Sequence, residues 1–239
     1  MTGTLYGLGV GPGDPELMTL KAVRLLQRAP VIAYPAAEGG DSSARAIAAE
    51  FIPQGATELA IKVPMRPGRM PIKVYDAAAE AIAGHLAAGR DVAVLCEGDP
   101  FFYGSFMYLH DRLAGRFACI VVPGVSSLTA CAASAGRPLA GRNAVLTVLP
   151  ATLADADLTA RLNNTEAAAI LKVGRHLPRL CAVIEACGLT ARAIYVEHAS
   201  RRDEKVLPLS EASGAEAPYF SMILIAPDRQ TDQNRARAS

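Results

Sequence analysis

A buried apolar run that breaks at a glycine and restarts at an Asp-Pro pair occurs twice in this chain, and it narrows the fold more than any other feature. Residues 91–96 read Asp-Val-Ala-Val-Leu-Cys, the pattern of a parallel strand covered on both faces. The run ends at Gly98-Asp99-Pro100, an order that predicts a helix with Asp99 as N-cap and Pro100 at its first position. The chain begins on the same plan. Residues 5–10 form an apolar strand, Gly11-Pro12-Gly13 a turn, and Asp14-Pro15 a helix start. Open α/β sheets hold their ligands at strand ends of this kind, so the two turns together suggest a small-molecule site.

The rest of the first half alternates in the same way. A helix is expected over residues 14–27, where Leu17, Leu20, Val23 and Leu26 recur at helical spacing. A short strand over 31–34 closes at Pro35, and a serine-capped helix follows over 42–51. A strand over 57–63, a helix over 75–88 stopped by Gly89, and a strand over 118–122 complete the pattern. Strands alternating with helices imply βαβ units, hence an α/β fold with a mainly parallel sheet. After Pro123 the texture changes. A small-residue helix (126–135) and strands at 144–149 and 168–173 lead to a helix over 177–187 stopped by Gly188. Strands at 193–198, 205–209 and 220–225 then follow with no long helix between them, which predicts a mixed sheet with antiparallel parts. The expected division is an α/β domain at 1–122, a mixed α/β domain at 123–227 and a disordered polar tail at 228–239.

Composition excludes some classes. Lys plus Arg is 24 against Asp plus Glu 23, for a net charge of +1, which argues against a nucleic-acid binder. Five scattered cysteines with no C-x-x-C read as free thiols in a reducing cytoplasm. No basic stretch precedes an apolar run at the N-terminus, and no run is long enough for a membrane helix, so no membrane partner is expected.

The loop Gly7-x-Gly9-x-Gly11-Pro12-Gly13 invites a dinucleotide reading, but its chemistry opposes one. That fingerprint holds a pyrophosphate on free N–H groups at a helix start. Here Pro12 removes a donor and Asp14 adds a repelling carboxylate, while the second strand ends in Tyr34-Pro35 rather than an acid for a ribose. Asp99 serves equally as a plain cap or a ligand group. The cluster Phe101, Phe102, Tyr103, Phe106 and Tyr108 combines core packing with a surface for a flat apolar ligand. Among the four histidines no metal-ligand spacing occurs, and His198 at a strand end is a site candidate. Lys62, Arg66, Arg69 and Lys73 gather between a strand and a helix, either as a solvated loop or as a patch for a carboxylate-rich ligand.

Taken in order, several segments resemble the tetrapyrrole methylase family, the S-adenosylmethionine-dependent enzymes of the sirohaem and cobalamin pathways. They are Gly9-Val-Gly-Pro-Gly-Asp14 with residues 16–22, Gly98-Asp99-Pro100-x-x-Tyr103-Gly104, residues 122–127 (Val-Pro-Gly-Val-Ser-Ser) and Val196-Glu197. Within the family, residues 103–109, Lys62-Val-Pro-Met65 and Pro218-Tyr-Phe-Ser-Met222 look most like the precorrin-2 C20-methyltransferases. The resemblance implies the tetrapyrrole methylase fold: two α/β domains with an active-site cleft between them, usually in a homodimer. It implies S-adenosyl-L-methionine as methyl donor, contacted by Pro12, Glu97, Gly98, Asp99, Tyr103, Ser126 and Ser127. Leu171, Lys172 and Val173, Ala199, and Tyr219, Phe220 and Ser221 are further implied contacts. The chain departs from the family pattern at Glu97, where many relatives carry glycine, and at Leu171-Lys172, where many carry methionine.

The implied reaction is methylation of C20 of precorrin-2 to precorrin-3A, with Arg66, Arg69 and Lys73 as substrate-binding groups. Catalysis would rest on orientation, and Glu97, Tyr103 and His198 are candidates for the base that removes the C20 proton. The alternatives are a cobalt-factor II C20-methyltransferase or another tetrapyrrole methylase, and, from a different class, a nonenzymatic tetrapyrrole carrier. A nucleotide-dependent oxidoreductase is disfavoured by Pro12 and Asp14.

Overall fold

The computed structural model describes residues 1–64, 71–212 and 217–227. Arg66 and Arg69 of the basic loop and the expected tail at 228–239 lie outside the described residues. The chain divides into two units, Met1–Ser126 and Ser127–Ser239.

In the first unit, β1 (Leu5–Gly9), β2 (Val31–Ala37), β3 (Thr57–Val63), β4 (Val92–Cys96) and β5 (Cys119–Val122) form one sheet in the order β3-β2-β4-β1-β5. Every pairing is parallel, with Leu5 opposite Val92 and Gly9 opposite Cys96. Alternation along the strands sends side chains to both faces, and each face is covered by helices. Leu8, Ile32, Ala93 and Leu95 pack with Ala22 and Leu26 of α1 (Leu20–Leu26) and Ala44 and Ile47 of α2 (Ser43–Ile47). Leu5, Val31, Val92 and Val94 pack with Ile82 and Leu86 of α3 (Ile72–Ala87) and with Phe106 and Leu109 of α4 (Phe106–Leu113).

Three local expectations are corrected. The helix expected over 14–27 is two pieces: a 3-10 turn at Pro15–Leu17, then α1. Thr19 accounts for the break, because its hydroxyl accepts from Ala22 N at 3.2 Å and starts a new helix. Pro35 does not close β2, which continues to Ala37. Pairing with β4 stops at Ala33–Val94, so Pro35 sits where β2 has β3 alone as neighbour and a missing N–H costs no bond on the open side. The third concerns Pro100. The helix after β4 begins at Phe106, so Asp99 is not its N-cap. Asp99 Oδ1 accepts from Phe101 N at 2.9 Å in a local turn, and Tyr103 is left-handed at φ 56°, which delays the helix.

In the second unit, β6 (Leu146–Pro150), β7 (Ala167–Leu171), β8 (Ala193–Glu197), β9 (Lys205–Pro208) and β10 (Ser221–Ile225) lie in the order β6-β7-β10-β8-β9. β6 and β7 are parallel and the remaining pairs antiparallel, so the sheet is mixed as expected. The parallel pair needs a crossover, and α6 (Asp155–Leu162) supplies one that the sequence reading did not include. Its buried face is only Leu158 and Leu162, too sparse a stripe to stand out among its charges. Both pack with Leu180 and Ile184 of α7 (Leu177–Ala186) on the face of the sheet that carries Ile170, Tyr195 and Ile223. α5 (Ser127–Ser134) packs against β10. No helix among the described residues is long and apolar enough to cross a membrane.

Candidate functional site

The first unit has one topological switch. β1 and β4 are neighbours, yet the connection leaving β1 leads past β4 to β2 while that leaving β4 leads past β1 to β5. The two connections lie on opposite faces, and a crevice opens beyond the carboxyl ends of the two strands. Glycines make the crevice possible. A Cβ placed on Gly124 would stand 2.1 Å from Gly98 O, and one on Gly9 would stand 2.6 Å from both Gly124 Cα and Gly98 O. Three segments therefore meet backbone to backbone where β1, β4 and β5 end. Gly98 N donates to Gly11 O at 2.8 Å and closes the first turn onto the second, with both glycines left-handed (φ 80° at Gly11, 63° at Gly98).

Asp99 clamps this junction. Its Oδ1 holds Phe101 N, and its Oδ2 accepts from Gly124 N at 3.1 Å, so one carboxylate joins the turn after β4 to the turn after β5. Glu97 Oε1 accepts from Ala44 N at 3.2 Å, tying the end of β4 to the first turn of α2. Tyr103 is 44% exposed in its left-handed conformation. Beneath them, burial pushes the Cys96 thiol up to about 11, so it acts as an inert filler. Residues 9–16 and 96–105 contain no Lys, Arg or His but carry Asp14, Glu16, Glu97 and Asp99. Such an edge repels phosphate and suits a neutral or cationic group.

The second unit has its own marked edge, where β7 and β8 end and β10 begins. Three non-glycine residues there are left-handed: Lys172 (φ 60°), His198 (φ 48°) and Ser200 (φ 65°). Each such residue stores of order 1–3 kcal/mol of strain, and clusters of them mark functional loops. Ser221 pairs with Glu197 and Met222 with Leu171 across β10. His198 N donates to Phe220 O at 2.9 Å, and Gly174 N donates to Ser221 Oγ at 3.3 Å. The loop beyond β8 is fixed by its acids: Asp203 Oδ2 lies 2.6 Å from His198 Nδ1, and Glu204 Oε2 takes Ser200 N and the Ser134 hydroxyl.

The model of the tetrapyrrole (corrin/porphyrin) methylases matches residues 4–213. The chain belongs to this family. A precorrin-2 C(20)-methyltransferase of Sinorhizobium is 45% identical over 93% of this chain and 95% of its own length. A cobalt-precorrin-2 C(20)-methyltransferase of Salmonella typhimurium is 30% identical over 94% of the chain and 97% of its own length. Among solved structures, the uroporphyrin-III C-methyl transferase of Thermus thermophilus complexed with S-adenyl homocysteine is 26% identical, with a TM-score of 0.69 over 93% of this chain and 97% of that one.

In this tetrapyrrole methylase, Pro12, Glu97, Gly98 and Asp99 meet at the switch-point edge, with Pro12 and Gly98 buried in the paired turns. Leu171, Lys172, Val173, Ala199, Phe220 and Ser221 meet at the second sheet's edge, where Val173 is wholly buried. Tyr219 stands 60% exposed beside Phe220. Ser126 closes the first unit and Ser127 opens the second. The aromatic cluster divides by role. Phe106 is core, its ring lying where a Cβ on Gly7 would come within 2.4 Å, and Tyr108 packs on Tyr75 at 4.9 Å. Phe101 and Tyr103 remain exposed. Lys62 and Lys73 are exposed at the end of β3 and the start of α3. Residue-level reasoning missed the clamp on Gly124 and the buried Tyr195–Glu197 pair. The available signal for the pair was two polar residues two apart in the otherwise apolar strand Ala-Ile-Tyr-Val-Glu.

Proposed function

We propose that this tetrapyrrole methylase transfers a methyl group from S-adenosylmethionine to C20 of precorrin-2. The observation that carries the reading is the 45% identity to the Sinorhizobium enzyme across nearly both full chains, against 30% to the cobalt-precorrin-2 relative. The residues present fit the donor. The glycine crevice offers backbone groups at close approach, and an acidic edge without Lys, Arg or His accepts a sulfonium cation where a phosphate would be repelled. Pro12, Glu97, Gly98, Asp99, Tyr103, Ser126 and Ser127 would hold it, with Leu171, Lys172, Val173, Ala199, Tyr219, Phe220 and Ser221. When bound, the donor supplies an electrophilic methyl on a positively charged sulfur. The protein's work is to hold that methyl in line with one carbon of the macrocycle and to take the proton that C20 loses.

Of the three candidates for that proton, the geometry favours His198. Glu97 is engaged with the amide of Ala44. His198 has Nδ1 oriented by Asp203 at 2.6 Å, which leaves Nε2 as the accepting nitrogen. Arg66, Arg69 and Lys73 would meet the substrate's carboxylates. The same reading takes the chain as a cytoplasmic homodimer, which suits its unpaired cysteines and is tested by mass measurement in solution.

The first test is calorimetric titration with S-adenosylhomocysteine. Saturable binding and a raised melting temperature are expected, since a ligand specific for the native state stabilises it by RT ln(1 + [L]/Kd); no binding at millimolar ligand sinks the reading. Roles then separate by kinetics. His198→Gln should lower kcat by about 10²-fold or more, and the double change Arg66→Glu with Arg69→Glu should raise the substrate KM in a salt-sensitive way. Neither should alter S-adenosylhomocysteine binding, and a double variant with parental KM would leave the basic loop as a solvated surface.

A further inference from the structure

We propose that Glu197 is a positioning residue for the methyl donor, acting through Tyr195 and Ser221 on the strand ends to which the donor reading assigns contacts; the proposal rests on that reading.

Glu197 is the last residue of β8 and 9% exposed, the only acidic residue among the buried side chains described. Its Oε1 accepts from the Tyr195 hydroxyl at 2.9 Å, and its Oε2 lies 3.1 Å from Lys205 Nζ across the β8–β9 pair. The Tyr195 hydroxyl also meets Ser221, the residue that faces Glu197 on β10. Ser221 Oγ in turn donates to Pro218 O at 2.7 Å and accepts from Gly174 N at 3.3 Å. Bonds thus join Lys205, Glu197 and Tyr195, while Ser221, set against the Tyr195 hydroxyl, bonds the segments on both sides of β10.

The fold does not require an acid here. The position lies at the sheet's end, beyond the apolar cluster that Tyr195 and Ile223 join, and a buried carboxylate is costly unless fully partnered. What the chain does hold is local strain. Lys172, His198 and Ser200 are left-handed immediately beyond β7 and β8, and such conformations persist only where surrounding bonds over-determine them. Burial first, and the Glu197 carboxylate second, push the Tyr195 phenol well above its ordinary range, so it remains a hydroxyl donor. A buried hydrogen-bonded network of this kind fixes geometry more than it adds stability.

The test compares parent, Glu197→Gln, Glu197→Leu and Tyr195→Phe for S-adenosylhomocysteine affinity, for KM of donor and substrate, and for kcat. Glu197→Gln should weaken S-adenosylhomocysteine and raise the donor KM about tenfold, with kcat and substrate KM within about threefold, the signature of lost uniform binding. Glu197→Leu should weaken donor binding further, because glutamine keeps an oxygen for Tyr195 and leucine keeps none. Tyr195→Phe removes the hydroxyl through which Glu197 reaches Ser221 and should weaken donor binding at least as much as Glu197→Gln. If the glutamate variants fail to fold, Tyr195→Phe decides alone. Parental donor affinity in the folded variants, with only a lower melting temperature, would make the network purely structural and overturn the proposal. A parent that does not bind S-adenosylhomocysteine would instead remove the donor reading itself.

Discussion

Gly124→Ala is expected to cost about 3 kcal/mol, the upper range for overpacking against unyielding neighbours. For a chain of this size that is a fall of about 6–12 °C in melting temperature. The added Cβ would stand 2.1 Å from Gly98 O, 2.8 Å from Gly9 Cα and 2.9 Å from Gly9 C. All three are backbone atoms at the ends of packed strands, so no flexible side chain can swing away. Relief requires the turns after β1, β4 and β5 to move apart, and those turns are the proposed donor crevice. S-adenosylhomocysteine binding should therefore be lost along with stability. Gly84→Ala is the matched control, because nothing lies within 4 Å of a Cβ added there, in the interior of α3. It should be neutral or stabilise by up to about 1 kcal/mol, since alanine is the better helix former. Circular-dichroism melts of both variants check the pair, and a Gly124→Ala protein melting within 2 °C of the parent would mean that the junction yields.

The second large effect is at Asp99, and its informative form is the isosteric change. Each carboxylate oxygen of Asp99 accepts from a different backbone N–H, that of Phe101 at 2.9 Å and that of Gly124 at 3.1 Å. Asparagine has the same shape but only one accepting oxygen, so its amide NH₂ must face one of the two N–H groups. Asp99→Asn should thus behave almost as badly as Asp99→Ala. Each is expected to destabilise by about 2 kcal/mol, the worth of one charge-assisted bond and part of another. A simple cap predicts otherwise, because asparagine caps as well as aspartate. Denaturant melts of both variants separate the two accounts. Full stability in Asp99→Asn would reduce Asp99 to a local turn residue.

The strands were legible because each is a short apolar run bounded by turn residues, and the change after Pro123 marked where the parallel sheet gives way to the mixed one. The two glycine turns were legible as a pair for the same reason. What lay hidden depends on contacts distant in sequence. Asp99 read as a helix cap, since nothing local indicates that Gly124, 25 residues on, would take its second oxygen. Gly124 itself read as part of a motif, and its close approach to Gly9 and Gly98 exists only after three strands align. Pro35 misled because a proline closes a strand only where a neighbouring strand needs its N–H, and β4 no longer pairs with β2 at that position. α6 stayed hidden behind its charges, although the parallel β6–β7 pair cannot be joined without a crossover. The Glu197 network was half visible, as a polar pair two residues apart, but its partners Ser221 and Lys205 come from other strands.

The central claim is the position and substrate of one methyl transfer. Incubating the protein with isotope-labelled S-adenosylmethionine and either precorrin-2 or cobalt-factor II, and locating the new methyl by NMR, tests it most directly. The account predicts label on C20 of the metal-free substrate, with the cobalt compound turned over more slowly. Label at another ring carbon, preference for the cobalt compound, or no transfer to either substrate would contradict it.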